Sequence, residues 1–540
     1  MKAPHSRTLY DLLDEQANRY PDRLAAIHDD RSATYSELDR RSRVVAAALK
    51  ARGICAGDRV ALLLHNSIEW LEVCFGISAL GAVVVPISTW SKAAELEFLL
   101  DDSKAVFLVT LDSLGSQDFA RDLCQLIPEL EQKESPESLT CERFPTLRGI
   151  AILGDSKPSG VTAYESFINV EPLDPVPPPG ARGRAVDDAI VLYTSGSSSR
   201  PKAVRMMHYA TIENGFNIGE RQGLQPDDRV HVSPPLFWAY GAANAMPATL
   251  THGATLVLQT RFEPGVALDL IERHGCTAIY TLPVMTNALI ENDAFAPERT
   301  RTLRTGLTIG GPQDVKKAAE VLGASEICNV YGASETYGNC CVTEHAWPLD
   351  ERAHCQGEPL PGVTVRIVDP ETGKPVDAGE DGLVEVRGYL MAGYGGASAS
   401  QNESVFTPDG FYRTGDIGHL DRLGRFVFVG RDTEMIKRAG INVSPVEIEE
   451  VLLQHPKVAQ SSVVGVPEER RGEVIVAFVV PKQGESVSAQ VLDAHCSALM
   501  SRYKVPDRFI VRKSLPLTTT GKVMRRELLD EAKAIVSGDK

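Results

Sequence analysis

The chain has 540 residues, 43% of them hydrophobic and 24% charged, which is too long for one core and has the balance of a globular protein, so a single small binding module is excluded. Its 72 acidic against 56 basic residues give a formal charge of -16, and no Lys/Arg block offers a footprint for a phosphate backbone, so no nucleic-acid partner is expected. An anionic small ligand stays open, because local amides and cations override the global field. The opening MKAPHSRTLYDLLDEQ lacks a charged segment followed by an apolar one, and the expectation is a cytoplasmic protein. Residues 8 to 130 alternate amphipathic runs such as YSELDRRSRVVAAALKARG with short apolar ones such as RVALLLH and AVVVPIS, which predicts a parallel sheet covered by helices. The longest apolar stretch, Phe75 to Ser88, is too short to span a bilayer and contains Pro86, so no membrane span is expected.

From 131 to 185 the segments KESPES, SKPSG and DPVPPPGARGR read as surface loops or a linker, and a subdomain boundary is placed there. The α/β pattern resumes with AIVLYTSG, ATLVLQT, CTAIYTLP and LRTGLTIGG. Between about 355 and 430 the helices stop, and the strands TVRIVD, GLVEVRG and RFVFVG predict a small β-barrel or distorted sheet. After Arg431 a mixed pattern returns, with a helix in SPVEIEEVLLQHP and strands in SSVVGVP and EVIVAFVVP. The fold class expected is α/β: a large N-terminal body, 1–431, of two α/β subdomains (about 1–185 and 186–354) plus a small β-barrel (355–431), then a small mobile α+β C-terminal domain, 432–540. The ten cysteines show no C-x-x-C pair and read as reduced thiols.

The segment most informative about chemistry runs from Val191 to Val204. An apolar strand opens into Thr194, Ser195, Gly196, Ser197, Ser198 and Ser199, then Pro201 and Lys202. Hydroxyls and backbone amides this dense cradle phosphate oxygens, and Lys202 adds a point charge. Pro201 before and Ala203 after the lysine exclude the G-x-x-x-x-G-K-[ST] loop.

These residues resemble the adenylate-forming enzymes, among them acyl-CoA and aryl-CoA synthetases, luciferases and peptide-synthetase adenylation domains, and the resemblance covers essentially the whole chain. The family's loop Y-T-S-G-T-T-G-x-P-K-G-V is matched at Tyr193, Thr194, Ser195, Gly196, Pro201 and Lys202, with Ser199 and Ala203 where two glycines are usual. Those changes narrow the accessible backbone angles and imply a stiffer loop. Tyr331, Gly332, Ala333, Ser334 and Glu335 resemble Y-G-x-T-E, which implies a ring on adenine, a hydroxyl at the phosphate and a carboxylate holding magnesium. Gly310, Gly311 and Pro312 resemble the loop flanking adenine, where bare backbone lets a flat base approach. Tyr412 to Asp416 resembles the family's R-T-G-D, which implies that Asp416 accepts from both ribose hydroxyls, and Arg431 resembles the arginine that contacts the ribose. Lys522, in Pro516-LTTTGKVMRREL, resembles the adenylation lysine, a mobile ammonium between two repelling anions.

For the acid, Pro234 to Gly241 matches the acyl-pocket motif, and its Phe237, Trp238, Tyr240 and Gly241 are the candidate pocket residues. Amino-acid-activating members carry Asp where Trp238 stands, so α-amino acids are rejected, since a buried ammonium without a carboxylate is costly. Phe-Trp-Ala-Tyr-Gly is similar to the F-F-A-Y-G of benzoate-type CoA ligases, and three rings beside small Ala242 and Ala243 favour a compact, flat acid. Gly440 matches the glycine of the coenzyme A channel, and the family's hinge acid or lysine is Thr433 here, followed by Glu434. Arg470, Arg471, Lys504 and Arg508 stay unassigned. The resemblance implies an ATP-dependent, AMP-forming acid:CoA ligase that uses ATP, Mg2+ and coenzyme A through an acyl-adenylate. A carrier-protein-loading enzyme, a medium-chain fatty acyl-CoA synthetase and a nucleotide-binding pseudoenzyme remain alternatives, and a homodimer stays open.

Overall fold

Helices begin where the chain offers capping side chains. Thr8 accepts from the Asp11 amide at 3.2 Å while Asp11 accepts from the Thr8 amide at 3.1 Å, which starts helix Leu9–Arg19; Thr34 and Glu37 repeat the exchange before Tyr35–Ala51. The computed structural model describes residues 2–132, 139–178, 180–194, 201–396, 399–438, 441–468, 472–500, 502–518 and 522–538.

Two large sheets form the N-terminal body. One has nine strands in the spatial order Glu358–Pro359, Cys341–Val342, Cys328–Tyr331, Thr305–Thr308, Ala278–Tyr280, Arg229–Val232, Thr255–Leu258, Leu24–His28 and Arg31–Thr34. The other has eight, from Tyr394–Gly395 through Lys202–Met207, Asp188–Thr194, Val83–Pro86, Arg59–Leu63, Phe107–Leu111 and Gly149–Leu153 to Thr162–Ala163. Their inner strands pair in parallel, as at Ala61 opposite Val85 and Val230 opposite Ala278, and read as continuous apolar runs because both faces are covered.

The expected boundary near 185 does not divide these sheets. Leu24–His28 lies parallel to Thr255–Leu258, and Asp188–Thr194 joins Val83–Pro86, so each sheet draws on both sides of that boundary. Nor is 131–185 only a linker: Gly149–Leu153 extends the eight-stranded sheet, and Phe144, Leu147, Ile150, Ile152 and Phe167 are buried. Its Pro and Gly clusters mark turns between short buried pieces. A five-residue apolar run in RGIAIL was the signal available.

Residues 364–431 form an open four-stranded antiparallel sheet, Thr364–Val368, Gly382–Arg387, Tyr412–Leu420 and Phe426–Arg431, so of the small β-barrel or distorted sheet expected it is not the barrel that forms. Four strands are too few to close around filled side chains. A short helix, Ala399–Ser404, interrupts this otherwise β region.

In the C-terminal part, Gly472–Pro481 pairs with Val458–Glu468, Ile436–Arg438 and Arg508–Val511. Its alternate residues feed two cores. Ile475, Ala477 and Val479 pack with Ile448, Leu452, Leu492 and Cys496, while Val476, Phe478 and Val480 pack with Leu528 and Ala532. That is the period-two logic of a strand covered on both faces. No described helix is long and apolar enough to cross a membrane.

Candidate active site

Strands Asp188–Thr194 and Lys202–Met207 pair antiparallel, so Thr194 stands opposite Lys202 at the end of the hairpin next to its connection. Ser195, Gly196, Ser197, Ser198 and Ser199 form its connection and lie outside the described residues. The Lys202 ammonium sits over the Tyr394 ring, 5.0 Å from its centroid, and the Tyr394 hydroxyl donates to Glu335 Oε1 at 2.7 Å. Tyr394 reaches this place because strand Tyr394–Gly395 adds to Lys202–Met207, with Tyr394 opposite Val204. Burial and then the Glu335 charge push the Tyr394 hydroxyl far above its ordinary pKa, so it stays a donor. Ser334 and Glu335 occupy one short helical turn, Ser334–Thr336, and the Met391 amide donates to the Glu335 carbonyl at 2.9 Å. Sequence reasoning found Lys202 and Glu335 but not the tyrosine between them, because nothing in a lone tyrosine sixty residues away marks it.

The second group is built by strand pairing. Tyr331 ends Cys328–Tyr331, and its hydroxyl donates to Asp416 Oδ2 at 2.7 Å. Asp416 is opposite Arg431 in the antiparallel pair Tyr412–Leu420 and Phe426–Arg431, and Asp416 Oδ1 lies 3.1 Å from Arg431 Nε. The fifteen-residue spacing of these two residues is thus the length of a hairpin. Asp416 is 5% exposed, and Oδ1, although ion-paired, receives no hydrogen bond among the described residues. Burial raises the carboxyl above the usual aspartate value, against the pull of Arg431 and the Tyr331 hydroxyl. The Tyr331 ring rests on Phe426 at 4.3 Å and Phe428 at 6.0 Å.

Gly310 and Gly311 follow strand Thr305–Thr308, and Pro312 opens helix Pro312–Glu320, where its missing amide costs nothing. Asn329 holds this loop: its Nδ2 donates to the Gly310 and Cys355 carbonyls, both at 3.1 Å. A methyl on Gly310 would stand 2.7 Å from Asp314 Cβ, and one on Gly311 would stand 3.1 Å from Glu450 Oε1. The C-terminal helix Pro445–Leu453 therefore abuts the glycine loop, and Ser444 donates to the Val429 carbonyl beside it.

Lys522 is held by its neighbours in the chain, with its amide on Thr518 Oγ1 at 3.1 Å and its carbonyl accepting from the Thr518 amide at 2.7 Å. The side chain keeps an exposed surface, yet the surrounding protein and then the Arg431 guanidinium pull its ammonium below the ordinary lysine pKa, with Glu434 opposing. Lys522 and Asp416 thus act on the same guanidinium. Arg525, three residues on, pairs with Glu434 at 3.5 Å and Glu449 at 2.9 Å.

In the pocket motif, Phe237 is buried and Trp238 half-buried. Both meet Trp90 edge-on, with centroids at 5.2 and 4.9 Å. Trp90 comes from the turn after Val83–Pro86, and the sequence reading missed it because its partners lie about 150 residues away. Asn66 fixes the motif's backbone, accepting from the Leu236 amide at 2.7 Å and donating to the Pro234 carbonyl at 3.1 Å. Gly241 has no room for a side chain, since a methyl would lie 2.3 Å from the Pro235 carbonyl oxygen. Tyr240 is buried, and its hydroxyl reaches the Thr281 and Leu307 carbonyls at 3.1 and 2.9 Å. Such a hydroxyl is committed to the scaffold.

Gly440, Arg470 and Arg471 fall outside the described residues. Lys504 pairs with Glu447 at 2.6 Å. All ten cysteines are free, and no group of three metal-ligating side chains occurs among the described residues.

The family described as AMP-binding enzyme matches residues 13–394, and AMP-binding enzyme C-terminal domain matches 447–522. Among curated relatives, YngI of Bacillus subtilis (strain 168), named an acyl-CoA synthetase, is 33% identical over 97% of both chains. The mitochondrial medium-chain acyl-CoA ligase ACSF2 of Mus musculus is 28% identical over 97% of this chain and 87% of its own. Among solved structures, the anthranilate CoA ligase AuaEII in complex with anthranoyl-AMP superposes with a TM-score of 0.85, at 27% identity over 99% of this chain and 100% of that one.

Proposed function

The chain belongs to the AMP-binding enzyme family and is an AMP-forming acid:CoA ligase that uses ATP and coenzyme A, and from that premise we propose that its acid is compact, aromatic or cyclic, and seated against Trp90, Phe237 and Trp238. The observation carrying the proposal is the edge-on contact of Trp90 with both Phe237 and Trp238, which sets three aromatic walls against a motif whose next residues are small. The name of the anthranilate ligase, whose fold this chain shares, points the same way.

In the proposed mechanism the unbonded Asp416 Oδ1 accepts from the ribose, and Tyr331 bears on the adenine beside the Gly310–Gly311 turn. Thr194, the serine-rich hairpin connection and Lys202 take the phosphate oxygens. Ser334 reaches the α-phosphate. Glu335 offers one carboxylate, which suits Mg2+, an ion that takes most of its ligands from phosphates and water and would neutralise charge on the triphosphate. Lys522 stands between the incoming carboxylate and the α-phosphate. A carboxylate oxygen attacks the α-phosphorus, the bond to the β-phosphate bridging oxygen breaks, and pyrophosphate leaves. The coenzyme A thiol then attacks the acyl carbon, loses its proton to solvent and expels AMP. The C-terminal domain, 432–540, rotates between these steps, withdrawing Lys522 and bringing Gly440 to the thiol channel.

A medium-chain aliphatic acid is the second reading, favoured by the name of the ACSF2 relatives. AMP release measured over benzoates, cinnamates, cycloalkane acids and fatty acids separates the two: highest kcat/KM on a flat ring acid supports the proposal, and highest kcat/KM on an eight- to twelve-carbon chain replaces it. Parallel assays with coenzyme A and with a holo-carrier protein identify the thiol.

A further inference from the structure

Behind the pocket motif, buried polar side chains form a hydrogen-bonded chain with a fixed direction. Gln222 Nε2 donates to the Ile218 carbonyl at 3.3 Å and to the Tyr280 hydroxyl at 2.9 Å. A carbonyl only accepts, so it orients the Gln222 amide, and Tyr280 passes its own proton onward. That proton goes to Asn244 Oδ1 at 3.2 Å. Asn244 Nδ2 is thereby turned away from the tyrosine. It has no hydrogen-bond partner among the described residues, although Asn244 is 0% exposed.

The place of this donor gives it meaning. A methyl built on Gly338 would stand 3.1 Å from Asn244 Nδ2 and 3.5 Å from the Ala239 carbonyl oxygen. Ala239 is the centre of the pocket motif, and Gly338 lies three residues past Glu335. The amide therefore faces the junction of the acid and nucleotide segments. Gly338 holds φ at +87°, which together with that crowding keeps a side chain out. Asn214 pins the loop, donating to the Tyr337 carbonyl at 3.4 Å and the Asn339 carbonyl at 3.0 Å. Asn339, 1% exposed, carries a second Nδ2 without a partner.

A buried amide donor left unpaired bears its full desolvation cost, and few native side chains do so. At a ligand site the few polar groups fix orientation and supply specificity. We infer that the acid carries, besides its reacting carboxylate, a hydrogen-bond acceptor such as a hydroxyl, ether or carbonyl oxygen, and that Asn244 Nδ2 donates to it. The inference rests on the ligase reading and narrows its substrate class. A hydrocarbon acid of the same shape leaves the donor unpaired and is discriminated against.

The test is acid-dependent pyrophosphate exchange with shape-matched pairs: cyclohexanecarboxylate against tetrahydropyran-4-carboxylate, 4-ethylbenzoate against 4-methoxybenzoate, and octanoate against 7-oxooctanoate. The oxygen-bearing member is expected to lead by about tenfold or more in kcat/KM in the pair that fits best. Asn244→Leu is expected to bring that ratio close to one, and Asn244→Ser, which restores a donor, to recover part of it. Equal rates within every pair that turns over, or a ratio unmoved by both substitutions, overturns the inference and leaves the ligase reading standing. If neither variant folds, as judged by thermal melting, the wild-type ratios decide alone. Absence of exchange with every acid withdraws the ligase reading and the inference together.

Discussion

Asp416 and Arg431 are register partners in an antiparallel hairpin, and their side chains meet at 3.1 Å while the Tyr331 hydroxyl binds the other carboxylate oxygen at 2.7 Å. The guanidinium that restrains Asp416 also lowers the Lys522 pKa. One arginine thus couples Asp416, the proposed ribose acceptor, to Lys522 of the small domain.

Asp416→Asn keeps the shape and removes the charge. A hydrogen bond to a charged acceptor contributes about 1.5–3 kcal/mol, so ATP affinity is expected to fall roughly ten- to hundredfold, read by calorimetric titration. Unchanged affinity would remove Asp416 from the ribose site.

Lys522→Ala is expected to slow acyl-adenylate formation by about a hundredfold, the scale on which a positioned charge acts at a transition state. Thioester formation from supplied acyl-adenylate should change little. Single-turnover assays of each half-reaction read this directly, and equal loss of both would rule out domain alternation.

In the proposed mechanism the same lysine is expected to set the alkaline limb of the pH profile. Its pKa lies below the ordinary lysine value, through the surrounding protein and Arg431, and the ammonium is the form the proposed mechanism uses. The adenylation rate should therefore decline as pH rises through that lowered pKa, earlier than for an unperturbed lysine. Lys522→Arg, which stays charged over the whole range, should flatten the limb even where it lowers the rate.

Trp90→Ala opens the aromatic wall from the side of the first segment. The expected outcome is a shift of the acid profile toward bulkier rings, with KM for ATP unchanged. An acid panel that ranks as in the wild type would show that Trp90 packs behind the pocket and does not line it.

Tyr240→Phe distinguishes scaffold from pocket. It deletes the hydroxyl that reaches the Thr281 and Leu307 carbonyls, and stability should drop by about 1–2 kcal/mol, measured by denaturant unfolding. The ranking of acids should not move. A changed ranking with intact stability would make Tyr240 a pocket residue.

The candidate site motifs stand out in the sequence because each is a short contiguous string with its own residue types: Tyr331 to Glu335, Arg413 to Asp416, and the segment ending at Lys522. The strands and helices around them were legible for the same reason, since hydrophobic periodicity and caps act within about ten residues. The boundary near 185 failed because sheet membership is set by pairing in space: Leu24–His28 finds its partner at Thr255–Leu258.

Sequence alone therefore determined the fold class and the family resemblance, both of which depend on local pattern. Only the tertiary structure decided that Tyr394 joins Lys202 to Glu335, that Trp90 faces Trp238, that Tyr240 is tied to the scaffold, and that Asn244 holds an unpaired donor. Each is a contact between residues tens to hundreds of positions apart, and its existence depends on sheet register and on burial that leaves a polar group nowhere else to turn.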